Sequence, residues 1–146
     1  MAQGSVVAFE EFVADVGLKV HNLNTDTHKI SLHNVLPATD ADAKYATFSA
    51  TEVSGTNYTA TGETANITYA EVSGTGTLAL GTAITWTADG AGPTDIKYGL
   101  VYSDTATNDE AIGTIDMTTD GGSTALSLVD GDIVISAGTI LTIAKA

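Results

Sequence analysis

Turn signals recur through the second half of the chain at short intervals, and this punctuation limits the fold more than any other feature. Ser73–Gly76, Asp89–Pro93, Asp120–Ser123, Asp130–Gly131 and Ala137–Gly138 are all rich in the residues that tight turns use. They leave room for elements of strand length only, spaced by about 8 to 12 residues, which is the pattern of an all-β sandwich or barrel. Between them the apolar residues alternate. Ile67 and Tyr69 alternate within Ala65–Val72, and Ile84 and Trp86 within Ala83–Ala88. Ile96, Tyr98, Leu100 and Tyr102 share one side of Asp95–Tyr102; its other side, Lys97, Gly99 and Val101, is nearly uncharged, as in a central strand. Thr77–Leu80, Ala111–Met117, Thr124–Leu128, Asp132–Ser136 and Thr139–Ala144 complete this set. Asp130-Gly131 is the dipeptide of a two-residue hairpin and predicts that the segments on either side of it pair.

Earlier in the chain, Thr27–His33 alternates Ile30 and Leu32 against Lys29, Ser31 and His33, which predicts a half-buried strand. One helix precedes it. Phe9, Phe12, Val13 and Val16 stand at i, i+3, i+4 and i+7 and share one helical face, and Gly17 supplies a stop. Helical patterns do not alternate with strands, so a parallel α/β sheet is not expected. The expected fold is all-β: an antiparallel β-sandwich, jelly-roll or immunoglobulin-like, with one short N-terminal helix. Strand order stays open. No linker or internal repeat divides the chain. Residues 1–8, uncharged and unpatterned, are expected to form an N-terminal arm, and residues 9–146 a single domain. Within the arm, Gln3, Ser5, Val6 and Val7 are the candidate partner-binding residues.

Charge narrows the choice of partner. Eighteen Asp and Glu stand against five Lys and no Arg, for a net charge of −13. Phosphate recognition needs clustered Lys and Arg, so nucleic acid is excluded as a direct partner, and an anionic membrane surface is disfavoured for the same reason. No window of 18 apolar residues is present, and residues 1–8 have neither the basic nor the apolar region of a secretory signal. Cysteine is absent, which removes disulfides, thiolate metal sites and thiol nucleophiles. Charged residues make up only 16% of the chain against a usual figure of about 25%, while 43% are apolar. The chain therefore reads as a folded domain with much of its surface turned towards other subunits.

Motifs for chemistry are few. His21, His28 and His33 lie close in sequence, but their spacing matches no zinc pattern, and they are expected at solvent-facing or boundary positions. Paired acids such as Asp40 and Asp42 read as solvated turn residues. The loop carrying Asp104, Asn108, Asp109 and Glu110 is the richest in oxygen ligands and is a weak Ca²⁺ candidate, although it lacks the spacing of a calcium loop. Nucleophile-elbow, phosphate-loop and zinc-protease motifs are all missing, so neither catalysis nor a cofactor is expected. Trp86, Tyr98 and Tyr102 could form a sugar-stacking platform but fit a core better.

Several stretches taken in order carry a resemblance. The short helix is followed by Gly17–Leu23 and Thr25–Leu32, then Val53–Thr59, then Ile84–Ala88 leading through a glycine-rich loop into Ile96–Thr105. Asn108–Gly113 and Gly138–Ile143 close the series. Across nearly the whole chain this combination resembles a family of small virion proteins of tailed bacteriophages, found among head and tail structural genes. The resemblance implies a β-rich structural protein of the particle, made in the host cytoplasm. The favoured role is a capsid decoration or cement protein on the outer head surface, clamping subunits of the major capsid protein and associating with itself as a trimer or other homo-oligomer. A minor tail or fibre protein, or a carbohydrate- or receptor-binding module, is the alternative.

Overall fold

The computed structural model describes residues 5–38 and 42–144. Ten strands and two short helices follow one another along it. Strand β1 is Val6–Ala8, α1 is Glu10–Gly17, β2 is His28–His33 and α2 is Tyr45–Phe48, running into a 3-10 turn at Ser49–Thr51. Then come β3 (Glu63–Ala65), β4 (Ile67–Val72), β5 (Thr75–Leu80), β6 (Ile84–Trp86), β7 (Tyr98–Ser103), β8 (Ala111–Asp116), β9 (Ile133–Ile135) and β10 (Gly138–Ala144). The protein is mostly β, and every strand pairing is antiparallel. Three sheets result: β1-β8-β7-β2-β3, β10-β5-β4, and the pair β6-β9. Among the described residues no helix is long and apolar enough to cross a membrane.

The five-stranded sheet carries the core. β7 lies inside it between β8 and β2, and its uncharged second side is explained by its burial: Leu100, Val101 and Tyr102 are all fully buried. Trp86 is likewise buried, so both it and Tyr102 are core residues. β2 differs from its sequence pattern. It was expected to face solvent on one side, yet Ser31 and His33 are as buried as Ile30 and Leu32. The segment 48–53 runs antiparallel beside the end of β2 with Glu52 opposite His33: Asn34 donates to the Thr51 carbonyl (3.1 Å), Val53 donates to that of Leu32 (3.0 Å), and the Thr51 side chain reaches the His33 ring. Gly62 fits where it does because it has no side chain: its φ is +80°, and a Cβ there would stand 2.1 Å from the Ile30 carbonyl oxygen.

Three further expectations are corrected. Asp130-Gly131 does not join a hairpin: Thr124–Leu128 is not a strand, and β9 pairs with β6 instead, Ile133 opposite Trp86. The predicted strand Ala65–Val72 breaks at Asn66, whose carbonyl accepts a hydrogen bond from Gly81 (2.7 Å). The chain thereby leaves the large sheet, where β3 pairs with β2, and enters the small one as β4. Helix α1 forms as predicted but presents a different face. Phe12 and Asp15 are buried while Val13 is 72% exposed. Just before it, the Phe9 ring stacks on Phe48 (5.6 Å).

The arm is corrected as well. Val6–Ala8 is the edge strand of the large sheet, with Val6 opposite Ile115 and Val7 opposite Thr114. Alternation then buries Val6 and leaves Val7 exposed. Gly113 makes this close approach possible, since a Cβ there would lie 2.3 Å from the Val7 carbonyl oxygen. Ser5 is exposed just ahead of the strand; residues 1–4, with Gln3, lie outside the described residues, as does Asp40.

Candidate functional site

Several half-buried and buried polar groups bond to one another, while both ring nitrogens of His21 and of His28, one Asp15 oxygen and the Trp86 indole N–H are buried without a hydrogen-bond partner among the described residues. The half-buried Glu52 is the clearest of the bonded groups. Tyr45 and Tyr58 each donate a phenolic O–H to its carboxylate (2.6 Å both), and the Thr61 backbone N–H adds a third bond (2.9 Å). Tyr58 also accepts from the Leu32 N–H (2.9 Å), which ties this knot to β2. Burial, and then the hydrogen bond to Glu52, push both phenols far above their usual range. Tyr45 in turn stacks on Tyr102 (5.0 Å). The positions 45, 52 and 58 form no motif, so sequence reasoning had no handle on them.

Ser31 and His33 make a second internal pair. Ser31 Oγ and His33 Nε2 lie 2.8 Å apart, and His33 Nδ1 and Thr51 Oγ1 lie 3.0 Å apart. The Thr51 hydroxyl spends its hydrogen on the Phe48 carbonyl (2.9 Å) and so accepts from the imidazole. His33 therefore carries its proton on Nδ1, and Nε2 accepts from Ser31. A hydroxyl bonded to an imidazole is the pairing of a nucleophile with its base. Here both residues are 0% exposed, inside the core rather than in a cleft.

All three histidines were expected near solvent and all three are buried. His28 and His33 stand on β2, and His21 packs on Phe12 (5.4 Å) with its Nε2 3.9 Å from Asp15. Burial lowers the affinity of each ring for a second proton, taking His33 down to about 4. The same burial raises the Asp15 carboxyl, against the pull of His21.

The acidic loop does not converge on a cation. Asp104 is held by Lys29 (2.9 Å), while Glu110 takes the Asn108 side chain (2.7 Å) and its backbone N–H (3.2 Å). Asp109 has a positive φ of 57°, and its carbonyl accepts from the Tyr45 N–H (2.9 Å). Burial and the neighbouring Asp104 raise the Asp109 carboxyl; burial also opposes ionisation of Glu110, but the Asn108 bonds outweigh it and its acidity rises. Among the described residues no group of three or more His, Asp and Glu could hold a metal ion.

The small sheet turns one of its sides outward. Thr68, Ala70 and Val72 of β4, Thr75, Thr77 and Ala79 of β5, and Thr142 and Ala144 of β10 share one side, as their cross-strand pairing requires. None of them is charged and none is buried. The opposite side buries Ile67, Leu78 and Leu80 towards the core. Ser73 and Gly74 join β4 to β5 with φ of 53° and 85°, the two positive values of a tight hairpin turn. Glu71 accepts the Gly74 N–H and holds that turn.

Two of the concave regions among the described residues differ sharply in lining. Around the exposed Val7, an apolar hollow of about 300 Å³ is lined by Phe9, Leu36, Pro37 and Thr114. A wider, hydroxyl-lined depression of about 550 Å³ lies over Asn57, Tyr58, Thr59, Thr85 and Thr87. Neither holds a charged side chain. No family model, curated protein or solved structure matches the chain.

Proposed function

We propose that this chain is a structural protein of a tailed-bacteriophage particle: a capsid decoration or cement protein that sits on the outer head surface and bridges subunits of the major capsid protein. One observation carries the reading on the structural side. Glu52 and His33 are tied into internal bonds, while the small sheet turns outward a side that is uncharged and not buried by any described residue, on a chain of net charge −13. Such a surface suits contact with protein rather than chemistry on a small substrate. The ordered resemblance along the sequence supplies the particle. The fold reading that goes with it takes the two larger sheets as the layers of a sandwich.

A cement protein gains affinity by bridging, because its second contact forms at high effective concentration. Acidic loops on this chain suit basic patches on the capsid, where charge complementarity speeds encounter and selects partners. Self-association belongs to the same proposal. The test is co-sedimentation of the purified protein with heads that lack it. Saturable binding, weakened by raised salt, is the expected result; no binding to heads at any salt concentration overturns the reading.

The hydroxyl-lined depression over Asn57 and Thr85 favours a second reading, a carbohydrate-binding module of the tail. That reading requires glycan binding which Thr85→Ala and Asn57→Ala abolish.

A further inference from the structure

The outer edge of β4 is the least protected backbone in the small sheet. From Thr68 to Val72 every residue is exposed, and no strand pairs with the side away from β5 among the described residues. Natural edges are usually blunted by Lys, Pro or a bulge. β4 has neither Lys nor Pro, its one charged residue is Glu71, and its pairing with β5 runs without a register shift. β10, the other edge of this sheet, does carry a bulge, between Thr139 and Leu141.

Charge decides what the edge of β4 can receive. A basic partner is drawn towards the acidic loops, and this neutral face gives it nothing to prefer. A second copy of the chain meets the reverse situation. Three of the lysines are already paired with Asp42, Asp95 and Asp104, so two copies of net charge −13 repel one another wherever carboxylates face outward. Along the edge of β4 the one charge is Glu71, on the other side of the sheet from Thr68, Ala70 and Val72, so two copies can approach there at less cost than at the acidic loops.

Register then follows from symmetry. Two antiparallel copies of β4 related by a two-fold axis keep their sides matched only if the axis passes through one residue, which then stands opposite itself. Centring on Glu71 would oppose two carboxylates, and centring on Tyr69 would set Ile67 against Glu71. Centring on Ala70 sets Ala70 against Ala70, Thr68 against Val72, and Tyr69 against Glu71, a phenol beside a carboxylate. We propose that two copies of this chain associate edge to edge through β4, with Ala70 on the two-fold axis, joining two small sheets into one of six strands. The inference deepens the self-association in the proposed function; the particle role stands without it.

Because the chain has no cysteine, a single introduced thiol tests this register directly. Opposed residues in an antiparallel pair have Cβ atoms about 4.5 to 5.5 Å apart, close to disulfide reach. Ala70→Cys should therefore cross-link into a covalent dimer under mild oxidation of the full-length protein. Val72→Cys should not, since the two copies of that position lie about 14 Å apart along the strands. Equal cross-linking of the two variants, or none in either, overturns the inference. Sedimentation velocity of Ala70→Lys gives a second measurement. The substitution lowers the net charge from −13 to −12 (−13 + 1) and so eases general repulsion, yet places like charges opposite each other on the axis. Self-association should weaken about tenfold; unchanged or stronger association contradicts the proposal. Neither readout involves a head particle, so failure here and failure of co-sedimentation are separate results.

Discussion

The five-stranded sheet and the three-stranded sheet are built from similar residues and do opposite things with them. β7 and β2 are buried on both sides, and the polar groups they carry inward, Ser31 and His33, are bonded to each other and to Thr51. β4, β5 and β10 bury Leu78, Leu80 and Ile140 on one side and leave the other bare, with Thr, Ala and Val where a solvent-facing sheet would normally place charge. A strand paired along both edges and buried on both sides has no freedom left for binding. A sheet that ends in an unblunted edge keeps its backbone groups on offer. The first region therefore sets stability, and the second is where the proposed contact between copies falls.

Substitutions sharpen that contrast, and the largest effect is expected at Gly62. Gly62→Ala forces a Cβ against the Ile30 backbone at a φ of +80°, and should cost about 4 kcal/mol or more in urea unfolding. A cost under about 1 kcal/mol would mean that the packing of β2 against residues 59–62 is looser than described. Acid comes next. The buried histidines bind a proton less readily in the folded state than at the unfolded value of 6.5, so the unfolded chain holds more protons below that pH. Stability should be full above pH 6.5 and fall towards pH 4, where His33 itself titrates; His33 alone accounts for about 3 kcal/mol. Urea midpoints taken across this range check the window. A flat profile between pH 6.5 and 4 contradicts the burial of these rings.

Glu52→Gln ranks third. It keeps the shape but removes the charge that two phenols share, and should cost about 1 to 3 kcal/mol. The smallest effects belong to the bare sheet. Val72→Thr and Ala70→Lys should leave the monomer's stability within about 0.5 kcal/mol of the parent, as is usual for exposed sites. A large loss at either position would dissolve the comparison, because the small sheet would then be structural on both sides.

Much of the strand content was legible because alternation is local. Ile84 and Trp86, or Leu100 and Tyr102, declare a buried side whatever lies across from them. Pairing partners were not legible, because they are chosen at long range. Asp130-Gly131 promised a hairpin, yet Ile133 pairs with Trp86, a segment more than forty residues away in sequence. The single run Ala65–Val72 gave no sign that Asn66 would hand the chain from one sheet to the other. Histidine burial was hidden for a similar reason: Ser31 and His33 looked like a solvent side, and only long-range folding brings Thr51 against the His33 ring. On helix α1, Asp15 took a buried position that apolar periodicity had assigned to Val13, since it faces His21. The unblunted edge is the exception. Ile67–Val72 has neither Lys nor Pro, which could be noted from sequence, but only the topology makes β4 an edge.

Copy number tests the central claim most directly. Under the proposed function, quantitative mass spectrometry of purified phage particles that contain this chain should find it in numbers comparable to the major capsid protein, as a protein that bridges capsid subunits over the whole shell requires. Its absence from the particles, or its presence in only a few copies each, would contradict the account.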